Sequence, residues 1–447
     1  LLPAALALAL TCVFPAAAGA QDAAPKAAAS SESAADKRRN TILYGIDTEI
    51  MELLKSLSSE KEGSFNPELL RLFESSKGPK LRASILDFFS SIEWKGAEKA
   101  ALSIVELRDE SDSALVASSL AYLASIASKD ALAFMPKMIE ENDRNYMNAL
   151  VKLMGKSGGE AEEAILLELY DGDSTSPELK GEAIKALGEI GSAKAAERLE
   201  KLVEDNAAGK AERMYACAAL AKINSTSSVG SLVAAANGGD PNVRASAIEA
   251  LGSFRSAEAE AAIVQGLRDS FVQARIAACK AAGTMKIAEA EPYLRYKAAS
   301  DPEKAVKTEA CKALALMGGD SLIFLRERLS DKKTEAAIRT LVFGLLARYD
   351  GGALKLLEEI LLAEQAEKNR SFYTSLVREI ANADKAPGIG SLAKILLADK
   401  DFNMRIGGVE WIRKNKATHM KAELERIAES DPSEPLRKRA AEALKAF

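Results

Sequence analysis

Between Val243 and Leu251 apolar residues return three and four positions apart. Val243, Ala247, Ile248 and Leu251 share one side, and Glu249 falls on the other. That spacing predicts an amphipathic helix with a single buried stripe. The same order of apolar, basic and small residues recurs at 274–283, 306–315, 404–413 and 436–445. One buried position runs through Ile184, Cys217, Ile248, Cys279, Cys311, Phe343, Val377, Val409 and Ala441, with successive members 31 to 34 residues apart. Weaker copies put Leu86, Leu120 and Leu150 there. A period of this size, repeated about twelve times, predicts a solenoid. Each unit is too small to bury its apolar face alone and does so against its neighbours.

Each unit reads as two helices. The second is the clearer. Asp240-Pro241, Asp301-Pro302 and Asp431-Pro432 each place a carboxylate before a proline, the pattern of a capped helix start. Gly188, Gly252 and Gly283 follow near the end, where a helix stops or a neighbour comes close. The first helices lie in stretches such as 195–203, 259–267 and 322–329. No stretch has the alternation of a strand, so the expected fold is all-α, an α-α superhelix of stacked helix pairs. A solenoid must also close its ends. The amphipathic stretch 41–57, with Ile46, Ile50, Leu53, Leu54 and Leu57 on one side, is expected to be a lone N-terminal cap within 41–64. The charged helix 436–447 is expected to close the other end, and 358–370 to lengthen a helix or loop in one late unit.

The pattern Asp-Pro-x-Val-Arg-x-x-Ala-x-x-Ala-Leu-Gly, carried by Asp240, Pro241, Val243, Arg244, Ala247, Ala250, Leu251 and Gly252, resembles the short bacterial HEAT-like repeat of the phycobilisome-lyase type. Asp301, Pro302, Val306, Lys307, Ala310, Ala313 and Leu314 repeat it after a two-residue loop insertion. The resemblance is clear over 177–447 and faint over 65–176. It implies that the helix bearing Val-Arg lines the concave face. It also implies a ladder of acidic and basic residues between successive turns, formed here by Asp240, Arg244, Asp269, Arg275, Asp301, Lys307, Asp401, Arg405, Asp431 and Arg437.

Residues 1–13 are nearly all Leu and Ala, and Ala18-Gly19-Ala20 has the small-x-small form of a cleavage site before Gln21. Residues 1–20 are therefore expected to be a secretory leader, shortened at its start because the chain opens on Leu without a basic segment. The protein is expected in the periplasm or outside the cell. Acylation at Cys12 is a lesser alternative, since Thr11 is bulky for that site. Residues 21–40, rich in Ala, Ser and mixed charge, are expected to be a disordered tether. No later stretch is apolar enough to span a bilayer.

Charge adds little. The chain has 60 basic and 65 acidic residues, a net charge of −5, with neither half strongly basic. That argues against nucleic acid as a partner. Only one histidine exists, His419, in a polar connection, so histidine-based metal and acid–base chemistry has almost nothing to work with. The cysteines beyond the leader, Cys217, Cys279 and Cys311, occupy the repeated core position. Equivalent residues in neighbouring units should lie roughly 8–10 Å apart, and a disulfide needs Cα atoms within about 7 Å. Three buried free thiols are expected. The pairs Gly158-Gly159, Gly238-Gly239, Gly318-Gly319 and Gly351-Gly352 read as left-handed helix stops, because none carries the Lys-Ser/Thr of a phosphate loop. No cofactor is expected.

Binding is best placed on the inner surface. Positions aligned with Glu249 should face outward from the second helices: Asp87, Lys185, Glu249, Lys280, Lys312, Arg378, Glu410 and Glu442. Lys280, Lys312 and Arg378 would form a basic strip able to steer an acidic partner. Tyr293 and Tyr296 are expected on a first helix at the outer surface. The function expected is a non-enzymatic exported scaffold for protein partners. An envelope-anchored structural protein and a lyase-type enzyme subunit are the alternatives.

Overall fold

The computed structural model describes residues 33–140, 146–367, 370–386, 388–445 and 447. The leader, Cys12 and the tether up to residue 32 lie outside the described residues. Among the described residues the chain forms 26 α-helices and no strand. No helix there is long and apolar enough to cross a membrane. The helices alternate as thirteen pairs, each unit's second helix lying between the second helices of the units before and after it. Ile184, Cys217, Ile248, Cys279, Cys311, Phe343, Val377 and Val409 are all buried in one continuous core. Ala441, at the same position in the final described unit, is exposed.

Small residues set the spacing of the second helices. A Cβ at Gly155 would lie 2.9 Å from the Cα of Ala186, one at Gly188 would lie 2.7 Å from that of Ala219, and one at Gly283 would lie 2.6 Å from that of Ala313. At Gly252 it would meet the Ala281 methyl at 3.2 Å. These glycines therefore serve close approach. The Gly155 contact also puts Val151, not Leu150, in register with Ile184. The first helices instead pack through Leu199, Leu232, Ile263, Leu294, Leu325, Leu357, Leu392 and Leu424. Where a glycine meets the next second helix's alanine backbone, those helices approach more closely than the Leu and Ile side chains let the first helices do, so the stack curves with the second helices inside.

Helix ends differ from the expected glycine stops. Of the paired glycines only Gly318 and Gly319 have positive φ, at 77° and 53°, and Gly191 is the other left-handed glycine. Among the described residues the other left-handed positions belong to Lys61, Glu93, Ala127, Asn224, Lys286 and Lys416. Lys61, Lys286 and Lys416 follow helices directly and cap them through backbone N–H groups.

The N-terminal region departs from the expected tether and lone cap. A helix, Ala34–Tyr44, begins inside the stretch read as disordered, with Ser33 capping it. It escaped notice because it is polar nearly all round, with Ile42 its one buried residue. Arg38–Glu60 at 2.7 Å and Arg39–Glu68 at 3.1 Å tie it to the next two helices. The stretch 41–57 is broken at Gly45-Ile46, where Asp47–Glu60 starts, and Ile46 is 66% exposed. The two helices form a complete first pair. The charged stretch 358–370 contributes to the helix Leu354–Ala366.

The acidic residues of the ladder fall into two positions with different jobs. Asp240 and Asp401 cap their own helices through the N–H groups of Asn242, Val243 and Asn403. Neither pairs with the arginine of a neighbouring inner helix; Asp401 has only a 3.7 Å contact from Arg370. Asp269, Asp301 and Asp431 stand two residues earlier relative to the basic residue. They receive paired hydrogen bonds from the previous unit: Arg244 to Asp269 at 2.8 and 2.9 Å, Arg275 to Asp301 at 3.0 and 3.1 Å, Arg405 to Asp431 at 2.8 Å twice. Asp301 and Asp431 are therefore not caps. Their helices start at Lys304 and Glu434, and Pro302 and Pro432 lie in the loop. Each of these arginines also donates Nη1 to two carbonyls of its own loop, such as Asp269 and Ser270 for Arg275. One side chain thus closes its own unit and clamps the next.

The series is not uniform. Lys307 meets no aspartate and reaches the exposed Glu335 at 2.7 Å. Tyr373 replaces the arginine in its unit. It donates to Asp399 at 2.6 Å, while Arg370 supplies the charge at 2.8 Å. Arg437, in the last unit, donates only to the Asp431 carbonyl.

Burial alone would lift the Asp301 carboxyl, but hydrogen bonds from Arg275, the Glu303 N–H and Lys297 outweigh it and hold the group below the usual aspartate value of 3.8. Burial likewise opposes the Arg405 bonds at Asp431, with the same net lowering. At Asp269 the Arg244 hydrogen bond is the leading cause of the lowering. A carboxylate with a depressed folded value stabilises fully above its unfolded value and loses that contribution as pH falls through the folded one.

Arg275→Met should cost about 3–5 kcal/mol near neutral pH, because it leaves buried Asp301 with only Lys297 and the Glu303 N–H and removes the donor to two loop carbonyls. In urea melts at decreasing pH the variant and the parent should converge in strong acid. Leu251→Ala should cost about 2–5 kcal/mol in the same assay, since Leu251 is fully buried. Lys286→Gly should gain about 0.5–1 kcal/mol by relieving the left-handed backbone.

Candidate functional site

The inner face is built from side chains just outside the buried stripe of each second helix. Glu249, Lys280, Lys312 and Arg378 are exposed there. Lys185 is not available in the same way: it is half-buried, 2.9 Å from Glu182, with its ammonium 4.0 Å from the Tyr215 ring centre. Lys312 pairs with Glu309 of its own helix at 3.2 Å. Lys280 and Arg378 form no ion pair with any described residue. Elsewhere the solenoid consumes its own inner charges. Glu189 joins Lys156 at 3.2 Å and also Lys222, bridging three successive units. Glu410 joins Arg413 at 2.8 Å and Arg439 at 2.5 Å.

The basic strip is interrupted. Between Lys312 and Arg378 the equivalent residue, on Ala336–Tyr349, is Gly344. The missing side chain opens a groove of about 280 Å³, bounded by Lys312, Leu316, Leu341, Arg348, Glu379 and Ile389 among others. The Glu379 carboxylate leans over Gly344, where a Cβ would collide with it. It accepts no hydrogen bond and forms no ion pair among the described residues. Burial pushes its carboxyl up, and the nearby Arg348 guanidinium partly opposes this. Arg348 itself pairs with Asp384 at 3.3 Å, and Asp384 with Lys414 at 3.2 Å. Sequence reasoning missed the groove. The signal was present: Gly344 directly follows Phe343, the repeated core residue, at a place where neighbouring units carry a long charged side chain.

Other candidates are accounted for locally. Cys217, Cys279 and Cys311 are free and buried, and burial pushes each thiol up to about 12, which leaves no thiolate nucleophile. His419 is exposed in the short turn Thr418–Met420. Trp411 is fully buried and Trp94 half-buried. Tyr293 and Tyr296 lie on the outer helix Glu291–Ser300 and are exposed beside Arg268, Pro292 and Lys297. Among the described residues no cluster of three His, Cys, Asp or Glu side chains is arranged to hold a metal.

Several solved structures are similar to this chain over part or most of its length. The CpcE–CpcF complex of phycocyanin lyase from Nostoc sp. PCC7120 is 18% identical, with a TM-score of 0.33, over 63% of this chain and 94% of that one. Human deoxyhypusine hydroxylase is 18% identical, with a TM-score of 0.26, over 58% and 97%. The karyopherin Kap121p bound to the SUMO protease Ulp1p is 12% identical, with a TM-score of 0.43, over 92% and 50%. No curated protein sequence matches the chain. A family model described as "Spirochaete HEAT repeat protein" matches residues 42–443, nearly the whole solenoid, and the chain belongs to that family.

Proposed function

We propose that the protein is an exported, non-catalytic scaffold that holds protein partners along its inner face. The observation that carries this reading is the inner surface from Val272–Met285 to Ser371–Asn382. There Lys280 and Arg378 are left unused by the solenoid's own ion pairs, and the Gly344 groove lies between them. Charges not spent on internal pairing are free to choose a partner and speed its approach. A curved stack of second helices presents many such positions at once, which suits a long, shallow interface. Export is supported by the apolar run 1–13 and the Ala18-Gly19-Ala20 site before Gln21.

The test is a pull-down from envelope extract with the parent chain and a Lys280→Glu/Lys312→Glu variant. The parent should retain discrete protein partners, and the variant should lose them roughly tenfold or more, as expected when charge complementarity is reversed. Equal retention by both would show that these cations are only a solvated surface. Mass spectrometry of the secreted form should find Gln21 at its start, whereas an acylated Cys12 would replace the free scaffold with an anchored one.

A further inference from the structure

We propose that the Gly344 groove receives one basic side chain, an arginine or a lysine, from a protein segment lying along the inner helices. This deepens the reading of the inner face as a partner-binding surface and rests on it.

Three observations converge on that occupant. The first is space. The one inner position lacking a side chain between Lys312 and Arg378 leaves a groove of about 280 Å³. The second is the apolar character of its walls, which include Leu316, Leu341, Leu345 and Ile389. Leu316 and the neighbouring Tyr349 are among the few large apolar side chains that this chain leaves exposed. The third is charge. Of the carboxylates around the groove, Glu309 is held by Lys312, and Asp384 by Arg348 and Lys414. Glu379 alone has no partner among the described residues.

These conditions discriminate between ligands. A purely apolar side chain would cover the Leu surface but bury Glu379 further without a counter-charge, which is costly. An acidic side chain would face Glu379 directly. A lysine or arginine satisfies both demands, because its methylene stem lies on apolar surface while its head seeks a carboxylate. Pairing would also reverse the penalty that burial now places on ionised Glu379. Arg348 and Lys312 are the opposing cations, and each already has its own carboxylate. Adjacent inner helices should lie roughly 8–10 Å apart, and an extended segment advances about 3.3 Å per residue. A segment with its basic residue in the groove would therefore present a residue about three positions away to the unpaired Arg378, where an acidic side chain fits best.

The experiment selects random dodecapeptides from a display library on the immobilised full chain, then measures synthetic winners by fluorescence anisotropy. Winners should share an arginine or lysine. Replacing that residue with norleucine should weaken binding roughly tenfold or more, the scale of a lost charge-assisted contact. Glu379→Gln should weaken the basic peptide to the same degree and leave the norleucine peptide unchanged. Gly344→Leu, which fills the groove and pushes the Glu379 carboxylate aside, should also abolish the preference. Glu379→Gln should melt no lower than the parent at neutral pH, since burial disfavours the ionised carboxyl that it removes. Winners without a basic residue overturn the proposal. So do basic winners indifferent to both groove variants; if those are lost on Lys280→Glu/Lys312→Glu, the inner-face reading survives alone. A library that yields no enriched peptide overturns both.

Discussion

The closeness of the inner helices governs this structure. At their closest, neighbouring inner helices pass at a separation that admits glycine against alanine, as at Gly188–Ala219 and Gly283–Ala313. That requirement explains why glycine and alanine stand at the points of closest approach between second helices. It gives the stack its bend and decides which face is concave. It also fixes where long side chains can go. Residues that point between inner helices must be short, so charge is displaced to the rim, at Glu249, Lys280, Lys312 and Arg378.

The arginine rungs act on the same contacts from the loop side. Arg275 is almost fully buried, yet every polar end of it is used: two bonds go to loop carbonyls and two to Asp301. An isolated buried ion pair is weak support for a fold, but one that also satisfies backbone acceptors removes two other debts of burial. Where the arginine is replaced, by Tyr373, the chain recovers the same aspartate position with a hydroxyl and an imported guanidinium from Arg370. The geometry of the rung is thus kept while its chemistry changes.

The repeat was legible because burial recurs at one phase, from Leu86 to Val409, and a period needs no knowledge of the neighbours. Ladder roles were harder to read. Asp240 and Asp269 are both loop aspartates near an Arg, and only a two-residue difference in spacing separates a cap from a rung. The helix Ala34–Tyr44 was hidden because ion pairs, which leave no periodic trace, do most of its docking. Left-handed ends at Lys286 and Lys416 were hidden for a related reason: tertiary packing imposes a backbone that the side chain itself does not favour. Gly344 was visible as a letter, but its meaning depended on Glu379 leaning across from the next unit.

The clamps are unevenly distributed. Glycine–alanine approaches occur at Gly155–Ala186, Gly188–Ala219, Gly252–Ala281 and Gly283–Ala313, whereas Gly407 meets the larger Val377 side chain. Between Lys307 and Tyr373 the rungs are a contact to the exposed Glu335 and a single 3.5 Å contact from Arg339 to Glu364. Within that stretch the turns are tied instead by Arg326, whose two bonds to Asp350 are both 2.7 Å, and Gly344 lies in the same stretch. A shift of one inner helix against the next there would carry Glu379 across Gly344, so the mouth of the groove would widen or narrow with it.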